Sequence, residues 1–221
     1  TLGFYLGEQH LPAAHTTPFA EELAERFLDA QRQGISHVAM EVSSHALEQE
    51  RVAGIHFRAA LFTNLTQDHL DYHGDMDRYR RAKLMLFERL DGPDAVAVVN
   101  ADDPSARFFI DVCRVPVVTF GTQGDCRATK VSVQKNLMVF VAETPWGNIN
   151  LEMRLLGRHN VANALGVIAL CGGIGMSPDE IARGIASVVA VPGRFEHVDE
   201  GQPFHVIVDY AHTEDGLRNV L

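Results

Sequence analysis

The sequence predicts an α/β fold: a mostly parallel sheet flanked by helices, a small antiparallel subsheet, and the start of a Rossmann-like C-terminal domain. Three observations carry this prediction. Short apolar runs alternate with segments of helical periodicity up to residue 120, which is typical of βαβ units. Strand-like alternation follows at 129–141, which indicates a hairpin. A last apolar run at 204–208 predicts one more buried strand.

Each element has a local signal. The first helix is expected from Thr17-Pro18 to about Gln33-Gly34, because threonine caps helices, proline suits the first helical position and glycine follows helix ends. Further helices are expected at 77–90, 104–112, 159–171 and 177–189. Buried strands are expected at 37–42, 59–63, 94–99 and 115–120, and alternating strands at 129–133, 137–141 and 149–155.

Composition limits the function classes. The 221 residues include 19 basic and 29 acidic side chains, a formal charge of −10, which disfavours a general nucleic-acid binder. No apolar run approaches the roughly 20 residues that span a bilayer. The three cysteines are far apart in the sequence and form no CxxC pair, so reduced thiols in a cytosolic protein are expected. The chain lacks an initial Met, and we expect it to be a fragment.

Polar clusters follow the predicted strands, where parallel sheets bind ligands. In Asp68–His73 two histidines stand four residues apart with flanking carboxylates; they could hold a metal or form a hydrogen-bonded loop. Glu41 could bind Mg²⁺ or stay solvated, and Ser43 could cap the next turn. The G-x-S-x-G elbow of serine hydrolases is absent.

Three more positions carry open alternatives. Lys83 lies on a predicted helix and by itself reads as a solvated lysine. Asn160 and Asn163 share a helix face, so they could bind a purine, although the simpler role for Asn160 is to cap the helix. Arg194 follows the predicted linker Val191-Pro192-Gly193 and could clamp a phosphate or form an interface salt bridge.

One absence bears on nucleotide binding. The sequence contains neither G-x-x-x-x-G-K-[ST] nor G-x-G-x-x-G, although phosphate-binding α/β proteins usually need such a loop or an exposed helix N-terminus. Either the chain does not bind ATP, or its phosphate loop lies upstream of Thr1.

A series of short segments occurs in one order along nearly the whole chain. The segments are His15–Pro18, Met40–His45, Gln49–Val52, Phe62–Gly74, Ala82-Lys83, Val99–Asp103, Gly157–Asn163, Gly193–Glu196 and Val208–Thr213. Together they resemble the Mur ligase family. The resemblance implies that residues 1–192 are a partial central ATP-binding domain, whose phosphate loop is missing upstream, and that residues 193–221 begin the C-terminal ligase domain.

The resemblance also implies an activity. By this resemblance the whole protein is expected to be an ATP-dependent amide ligase of bacterial peptidoglycan synthesis. The ligase would add meso-diaminopimelate or L-lysine to UDP-N-acetylmuramoyl-L-alanyl-D-glutamate through an acyl phosphate. ATP and Mg²⁺ are the expected cofactors, and the enzyme is expected to be a cytoplasmic monomer that contacts neither nucleic acid nor membrane. The chain by itself is expected to be inactive. Two alternatives stay open, a folylpolyglutamate-synthetase-like ligase and a non-catalytic binding module.

Site residues are carried over by the same resemblance. The metal and catalytic set is Glu41, His69 and Lys83, with Lys83 as the lysine that becomes a carbamate. The muramoyl-dipeptide contacts are Thr16, Thr17, Ser43, Gln49 and Arg51. The nucleotide shell is Asn64, His159, Asn160, Asn163, Arg194, Asp209 and His212. The sequence departs from the usual family pattern at His15, His159 and Glu214.

Overall fold

The computed structural model describes residues 3–7, 9–134, 137–198, 200–204, 206–212 and 216–217. The chain divides into two compact units. The first combines residues 1–56 and 69–89, and the second combines 57–68 and 90–221. The turn of the predicted hairpin at 135–136 and most of 213–221 lie outside the described residues.

The first unit has a hairpin followed by helices. Its elements are β1 (Phe4–Leu6), β2 (Gln9–Leu11), α1 (Ala20–Arg32), α2 (Ser44–Glu48), α3 (Leu70–His73) and α4 (Met76–Glu88). Arg26 of α1 lies over the Phe4 ring of the antiparallel β1–β2 pair, 5.1 Å from its centroid. Helix α4 begins at the Asp75 cap and packs against α2 and α3, which confirms the helix predicted at 77–90.

The first predicted helix has the expected end but a different start. It ends at Arg32, and Gly34 follows with a left-handed φ of 71°. It begins at Ala20, with Phe19 in the cap position and no side-chain capping bond. The predicted Thr17 cap is therefore wrong, because the Thr17 hydroxyl donates instead to the carbonyl oxygen of Glu41, 24 residues away in the sequence.

The strand predicted at 37–42 does not form. Residues 35–43 belong to no helix or strand, and Val38 is 56% exposed. An apolar run becomes a strand only where a neighbouring backbone supplies its hydrogen bonds. No described strand pairs with this segment, so the prediction was wrong.

The second unit holds the predicted parallel sheet. Its first elements are β3 (Ala59–Phe62), β4 (Val96–Asn100), α5 (Ala106–Val112) and β5 (Val117–Phe120). The strands lie in the order β3-β4-β5 and are all parallel. Val98 and Val99 of the central strand are fully buried, as expected for a strand covered on both faces.

An antiparallel sheet follows in the same unit. Its elements are β6 (Arg127–Gln134), β7 (Leu137–Thr144), β8 (Gly147–Met153), α6 (Arg158–Gly173) and α7 (Pro178–Ser187). Residues from both sheets, including Val98, Phe140 and Leu151, share one apolar core with α6 residues such as Ile168. Helix α6 contacts all three parallel strands, so the core positions the N-terminus of α6 relative to the parallel sheet.

Two short strands complete the described elements, β9 (Glu196–Val198) and β10 (Val206–Val208), which pair antiparallel. Ile207 and Val208 are 43% and 46% exposed, so β10 is not the buried strand that its apolar composition predicted. The compact units do not divide the chain at 192/193, and that domain boundary stays a prediction. None of the described helices is both long and apolar enough to cross a membrane.

Candidate active site

The site in the first unit is built around Thr17, which is 1% exposed. Its hydroxyl donates to the Glu41 carbonyl oxygen and accepts from the Ser43 amide, both at 2.9 Å. Ser43 in turn caps α2 by accepting from the Ala46 amide at 3.2 Å. Thr17 therefore fixes the two backbone positions on either side of Val42, and its hydroxyl is engaged inside the protein.

Arg51 is the cation of this site. Its Nη1 donates to the Thr17 carbonyl oxygen at 2.8 Å, and Nε and Nη2 donate to Gln49 Oε1 at 2.9 and 2.6 Å. The guanidinium also lies 4.2 Å from the centroid of the Phe19 ring. These acceptors are neutral and occupy three of the five guanidinium N–H groups. The positive charge and the remaining donors are thus suited to an anionic substrate.

A group of imidazole and phenol rings lies next to this region. The His45 ring is 5.0 Å from His69, 4.1 Å from Tyr72 and 5.4 Å from His73, measured between centroids. Tyr72 also accepts a hydrogen bond from Gln49 Nε2 at 3.4 Å. The part of the histidine motif that lies in the first unit, His69–His73, is therefore joined to the segment that carries Arg51.

The environment of His45 affects its charge. Burial is the main cause that lowers the pKa of His45, and the nearby rings of His69 and His73 and the cation of Arg51 lower it further, whereas Asp71 opposes them. A lowered pKa favours the neutral imidazole near pH 7, which can accept a proton or a hydrogen bond.

The predicted metal set is brought together in part. The centroid of the Tyr79 ring lies 5.9 Å from that of the His69 ring and 5.1 Å from Lys83 Nζ. The ring of Tyr79 therefore contacts both His69 and Lys83. Glu41 is exposed on the segment tied to Thr17. Across the described ranges no three His, Cys, Asp or Glu side chains form a metal-binding group, and Lys83 would offer oxygen only as a carbamate.

His69 has an unusual backbone. It precedes α3 with φ 53° and ψ 27°, a left-handed conformation that costs about 1–2 kcal/mol for a residue other than glycine. Such conformations cluster at functional sites, where the surrounding structure enforces them. This geometry adds a structural reason to keep His69 among the candidates.

In the second unit, Asn64 stands in a fixed loop after β3. On one side, Asn100 Nδ2 donates to the Thr63 carbonyl oxygen at 2.7 Å; on the other, the Leu65 amide donates to Asp103 Oδ2 at 2.8 Å. The exposed Asn64 is thus held between two tethered peptide groups at the carboxyl edge of the parallel sheet.

The start of α6 presents a second group of candidates. Gly157 precedes the helix with φ 101°, a backbone conformation that favours glycine, and a Cβ there would lie 2.6 Å from the His159 ring, which would have to shift. Asn160 Nδ2 donates to the Leu156 carbonyl oxygen at 2.8 Å, and Asn163 Nδ2 donates to Asn160 Oδ1 at 3.3 Å. The two amides share a face, as predicted, and are hydrogen-bonded to each other.

The remaining candidates meet around a turn at 193–196. Asp209 accepts from the Phe195 and Ala211 amides, each at 2.7 Å, so its carboxylate stabilises the turn. Arg194 stacks over the Tyr210 ring at 5.1 Å, and His212 Nδ1 lies 2.9 Å from the Tyr210 carbonyl oxygen. These residues also lie near the start of α6, because the Phe195 ring meets the edge of the His159 ring at 5.9 Å.

The sequence assigned no role to several residues whose contacts give them one. Tyr79 lies in the helix predicted at 77–90, and its ring contacts both His69 and Lys83. Asn100 and Asp103 lie in the ordered segment Val99–Asp103, and their place at the carboxyl end of a predicted strand is the sequence signal that could have found them. A groove of about 520 Å³ between the antiparallel sheet and α7, lined by Lys130 and Arg183 among others, holds none of the predicted site residues.

The fold is that of α/β proteins that present polar groups at the carboxyl edge of a parallel sheet. The sequence matches the Mur ligase middle domain over residues 1–171. The chain belongs to the Mur ligase family, and the resemblance drawn from its motifs is confirmed.

Individual relatives agree with this membership. A UDP-N-acetylmuramoyl-L-alanyl-D-glutamate–2,6-diaminopimelate ligase of Geobacillus kaustophilus is 45% identical over 228 residues, covering 100% of this chain and 47% of that protein. The ligase of the same name from Solibacter usitatus is 46% identical over 224 residues, covering 100% and 45%. A solved structure of a ligase of this name has a TM-score of 0.80 at 30% identity, covering 97% of this chain and 45% of the other. The chain thus spans about half the length of the curated relatives it matches.

Proposed function

We propose that the protein to which this chain belongs is an ATP-dependent ligase that joins 2,6-diaminopimelate to UDP-N-acetylmuramoyl-L-alanyl-D-glutamate during peptidoglycan synthesis. The observation that carries this proposal is the alignment of the whole chain with ligases of that name at 45% and 46% identity. The proposed site of the reaction is the bacterial cytoplasm, with a monomeric enzyme that contacts neither nucleic acid nor membrane.

Amide formation from a free carboxylate is unfavourable in water, so the carboxylate must first be activated. In the proposed reaction the D-glutamate side-chain carboxylate attacks the γ-phosphorus of ATP, which releases ADP and forms an acyl phosphate. The amine of the diamino acid then attacks the acyl carbon, and inorganic phosphate leaves. The protein's share is positioning and charge stabilisation.

The first unit supplies the proposed substrate contacts. The bound acceptors of Arg51 are neutral and do not compensate its positive charge, and a guanidinium binds oxyanions with two parallel hydrogen bonds. Gln49 orients Arg51, while Ser43 and Thr16 lie on the adjoining segments. Thr17 is buried, so we assign it the role of holding Ser43 in place.

The second unit supplies the proposed nucleotide contacts. Asn64 is held at the sheet edge by its tethered neighbours. His159, Asn160 and Asn163 lie at the first turns of α6, where the helix dipole favours negative charge. Arg194 is the cation of the adjoining turn, which also carries the last two proposed contacts, Asp209 and His212.

Mg²⁺ fits the proposed donor set once Lys83 is carbamylated. A carbamate at Lys83 and the Glu41 carboxylate would provide the oxygen ligands that Mg²⁺ prefers, and His69 would add a ring nitrogen. The unmodified ammonium lies over the Tyr79 ring, a cation–π arrangement that carbamylation abolishes. When bound, the ion would neutralise charge on the transferring phosphoryl group.

The decisive assay is ADP release by the full-length gene product. We expect release only when UDP-N-acetylmuramoyl-L-alanyl-D-glutamate and 2,6-diaminopimelate are both present. ADP release with L-lysine in place of diaminopimelate would show that L-lysine is the amino acid that the enzyme adds. ADP release that requires glutamate and a folate would favour the folylpolyglutamate-synthetase alternative. Release that ignores the dipeptide would overturn the proposal.

Arg51→Ala tests the substrate contact. Loss of a charged hydrogen-bonding group should raise the dipeptide KM about tenfold to a hundredfold, with the KM for ATP unchanged. The matched control is Arg32→Ala, because Arg32 is exposed and pairs with Asp29 on its own helix. An unchanged dipeptide KM in the Arg51 variant would remove this residue from the site.

Lys83→Ala tests the carbamate. Turnover should be abolished and should return in part when a small carboxylate such as acetate is added to replace the missing oxygen ligand. Lys130→Ala, at an exposed position on β6, is the matched control. A wild-type rate in the Lys83 variant would contradict the assigned role.

A further inference from the structure

A buried histidine next to the proposed site has no role in the proposed reaction. The side chain of His73 has no exposed surface, and its Nε2 lies 2.8 Å from Ser44 Oγ. Its ring stacks on Tyr79, with 5.1 Å between centroids and 28° between planes. Buried polar groups are costly unless they are hydrogen-bonded, so this arrangement calls for a physical reason.

The second ring nitrogen of His73 indicates how the contact with Ser44 is oriented. Nδ1 is buried and has no hydrogen-bond partner among the described residues, and Glu48 Oε2 lies 3.6 Å away. A neutral imidazole has one donor and one acceptor nitrogen. With the proton on Nδ1, directed to the Glu48 carboxylate, Nε2 becomes the acceptor for the Ser44 hydroxyl.

In that tautomer Ser44, His73 and Glu48 would have the donor order of a serine-hydrolase triad, but access rules out that activity. Ser44 is 1% exposed and lies in the first turn of α2, directly after the capping Ser43. A nucleophilic hydroxyl must reach its substrate. The arrangement therefore serves to hold elements of the first unit together.

The elements that it joins carry the proposed chemistry. On one side His73 binds Ser44, the neighbour of the proposed substrate contact Ser43. On the other side it supports Tyr79, whose ring lies next to His69 and beneath Lys83 Nζ. These interactions join His73 to Ser44 and Tyr79, and not directly to Ser43 or Lys83. His73 can therefore influence Ser43 and Lys83 only through Ser44 and Tyr79.

We propose that His73 is a positioning residue that fixes Ser43 relative to Lys83, through a hydrogen bond accepted from Ser44 and through the ring of Tyr79. This inference rests on the proposed function. It adds that the accurate placement of the dipeptide depends on the Nδ1–H tautomer of a histidine that touches no substrate.

The kinetic test compares two substitutions in the full-length gene product. His73→Phe keeps a ring on Tyr79 and removes the acceptor, and should lower kcat about tenfold, the factor that loss of one buried hydrogen bond typically produces. The KM for ATP should stay unchanged. His73→Gln places an acceptor near the position of Nε2 and should restore most of kcat. A purely structural role predicts a lower Tm with an unchanged kcat well below that Tm.

A double mutant tests whether the hydrogen bond itself matters. Ser44→Ala should match His73→Phe, and the double variant should be no worse than either single variant, because both remove the same interaction. The exposed pair Ser36–His37, with 2.9 Å between Oγ and Nδ1, is the matched control, and Ser36→Ala and His37→Phe should leave kcat unchanged. Additive losses at Ser44 and His73 would overturn the proposed coupling.

A spectroscopic test does not depend on catalysis. In the ¹⁵N-labelled full-length gene product, the long-range ¹H–¹⁵N spectrum should assign the proton of His73 to Nδ1, and Glu48→Gln should weaken that preference. A proton on Nε2 in the wild type would overturn the inference even in an active ligase. If the full-length protein released no ADP, the proposed function would fail, while this spectrum would still report on the Ser44–His73–Glu48 interaction.

Discussion

Replacing Thr17 by valine tests how the first unit holds its site. Valine keeps the shape of threonine but removes the hydroxyl that donates to the Glu41 carbonyl oxygen and accepts from the Ser43 amide, both at 2.9 Å. Each buried backbone group left without a partner costs about 1–3 kcal/mol. Glu41 is exposed and Ser43 is half-buried, so water replaces part of the loss and the lower end of this range applies.

The expected loss is therefore about 2 kcal/mol of unfolding free energy. In a protein of this length that corresponds to a fall in Tm of about 4–8 °C. Thr17→Ser keeps the hydroxyl and removes one methyl group, so it should cost only about 1 kcal/mol. Urea denaturation gives the free energies, and amide exchange of Ser43 reports the hydrogen bond directly.

The control for this experiment is Thr66→Val, the same change at an exposed position, which should leave stability within about 0.5 kcal/mol of wild type. If Thr17→Val were as stable as this control and the Ser43 amide exchanged at the wild-type rate, the hydroxyl would not hold the segment. If Thr17→Ser cost more than Thr17→Val, packing of the methyl group would stabilise the segment more than the hydroxyl does.

Three further predictions concern the second unit. Asp103→Ala should speed amide exchange of Leu65 about tenfold or more, because the carboxylate that holds this amide at 2.8 Å is lost. Ser177→Ala should cost about 1 kcal/mol, because it removes a helix cap. Hydrogen bonds from Ser177 are the main cause that lowers the pKa of Glu180 in the folded protein. These hydrogen bonds should therefore stabilise the fold fully at pH values above the unfolded pKa of Glu180. Their contribution should be lost as the pH falls through the folded pKa. Burial raises the pKa of Cys126 to about 12, so a thiol reagent at pH 8 should modify it slowly in the folded chain.

Each of these predictions has a matched control. Asp111→Ala removes a carboxylate that pairs with Arg107 on the surface and should leave the exchange rates unchanged. Ser187→Ala, at the other end of α7, removes a hydroxyl that takes no part in the N-terminal cap. The thiol reagent should react at the ordinary rate in urea. The first prediction would be wrong if the Leu65 amide exchanged at the same rate in the Asp103 and Asp111 variants. The second would be wrong if the effect of Ser177→Ala on stability did not depend on pH. The third would be wrong if the reagent modified Cys126 rapidly in the folded chain.

Elements whose signals are local were predicted well. The helix predicted at 177–189 starts where its sequence signals place it, with Ser177 as the cap and proline at the next position; the structure adds a capping box that Glu180 completes. The parallel strands β3, β4 and β5 lie within two residues of their predicted bounds, because buried apolar runs bounded by turn residues are recognisable in sequence. Tyr79 was predicted as part of a helix but not as a residue of the site.

The segments that were predicted wrongly depend on distant partners. The apolar run at 37–42 resembles a strand, yet hydrogen bonds from another backbone decide whether a strand forms. Thr17 has the residue type of a helix cap, but its hydroxyl serves Glu41 and Ser43 more than 20 residues away. Neither outcome can be predicted from neighbouring residues, because both depend on how the chain folds back on itself.

The sequence by itself determined most of the alternation of strands and helices, the cap of α7 and the ordered motifs that identify the family, because periodicity, capping and motif spacing are properties of consecutive residues. Only the tertiary structure decided that His73 binds Ser44, and that Asn100 and Asp103 hold the peptide groups around Asn64. These contacts join residues far apart in the chain, and their free energy is gained only when packing brings the partners within hydrogen-bond or ring-contact distance.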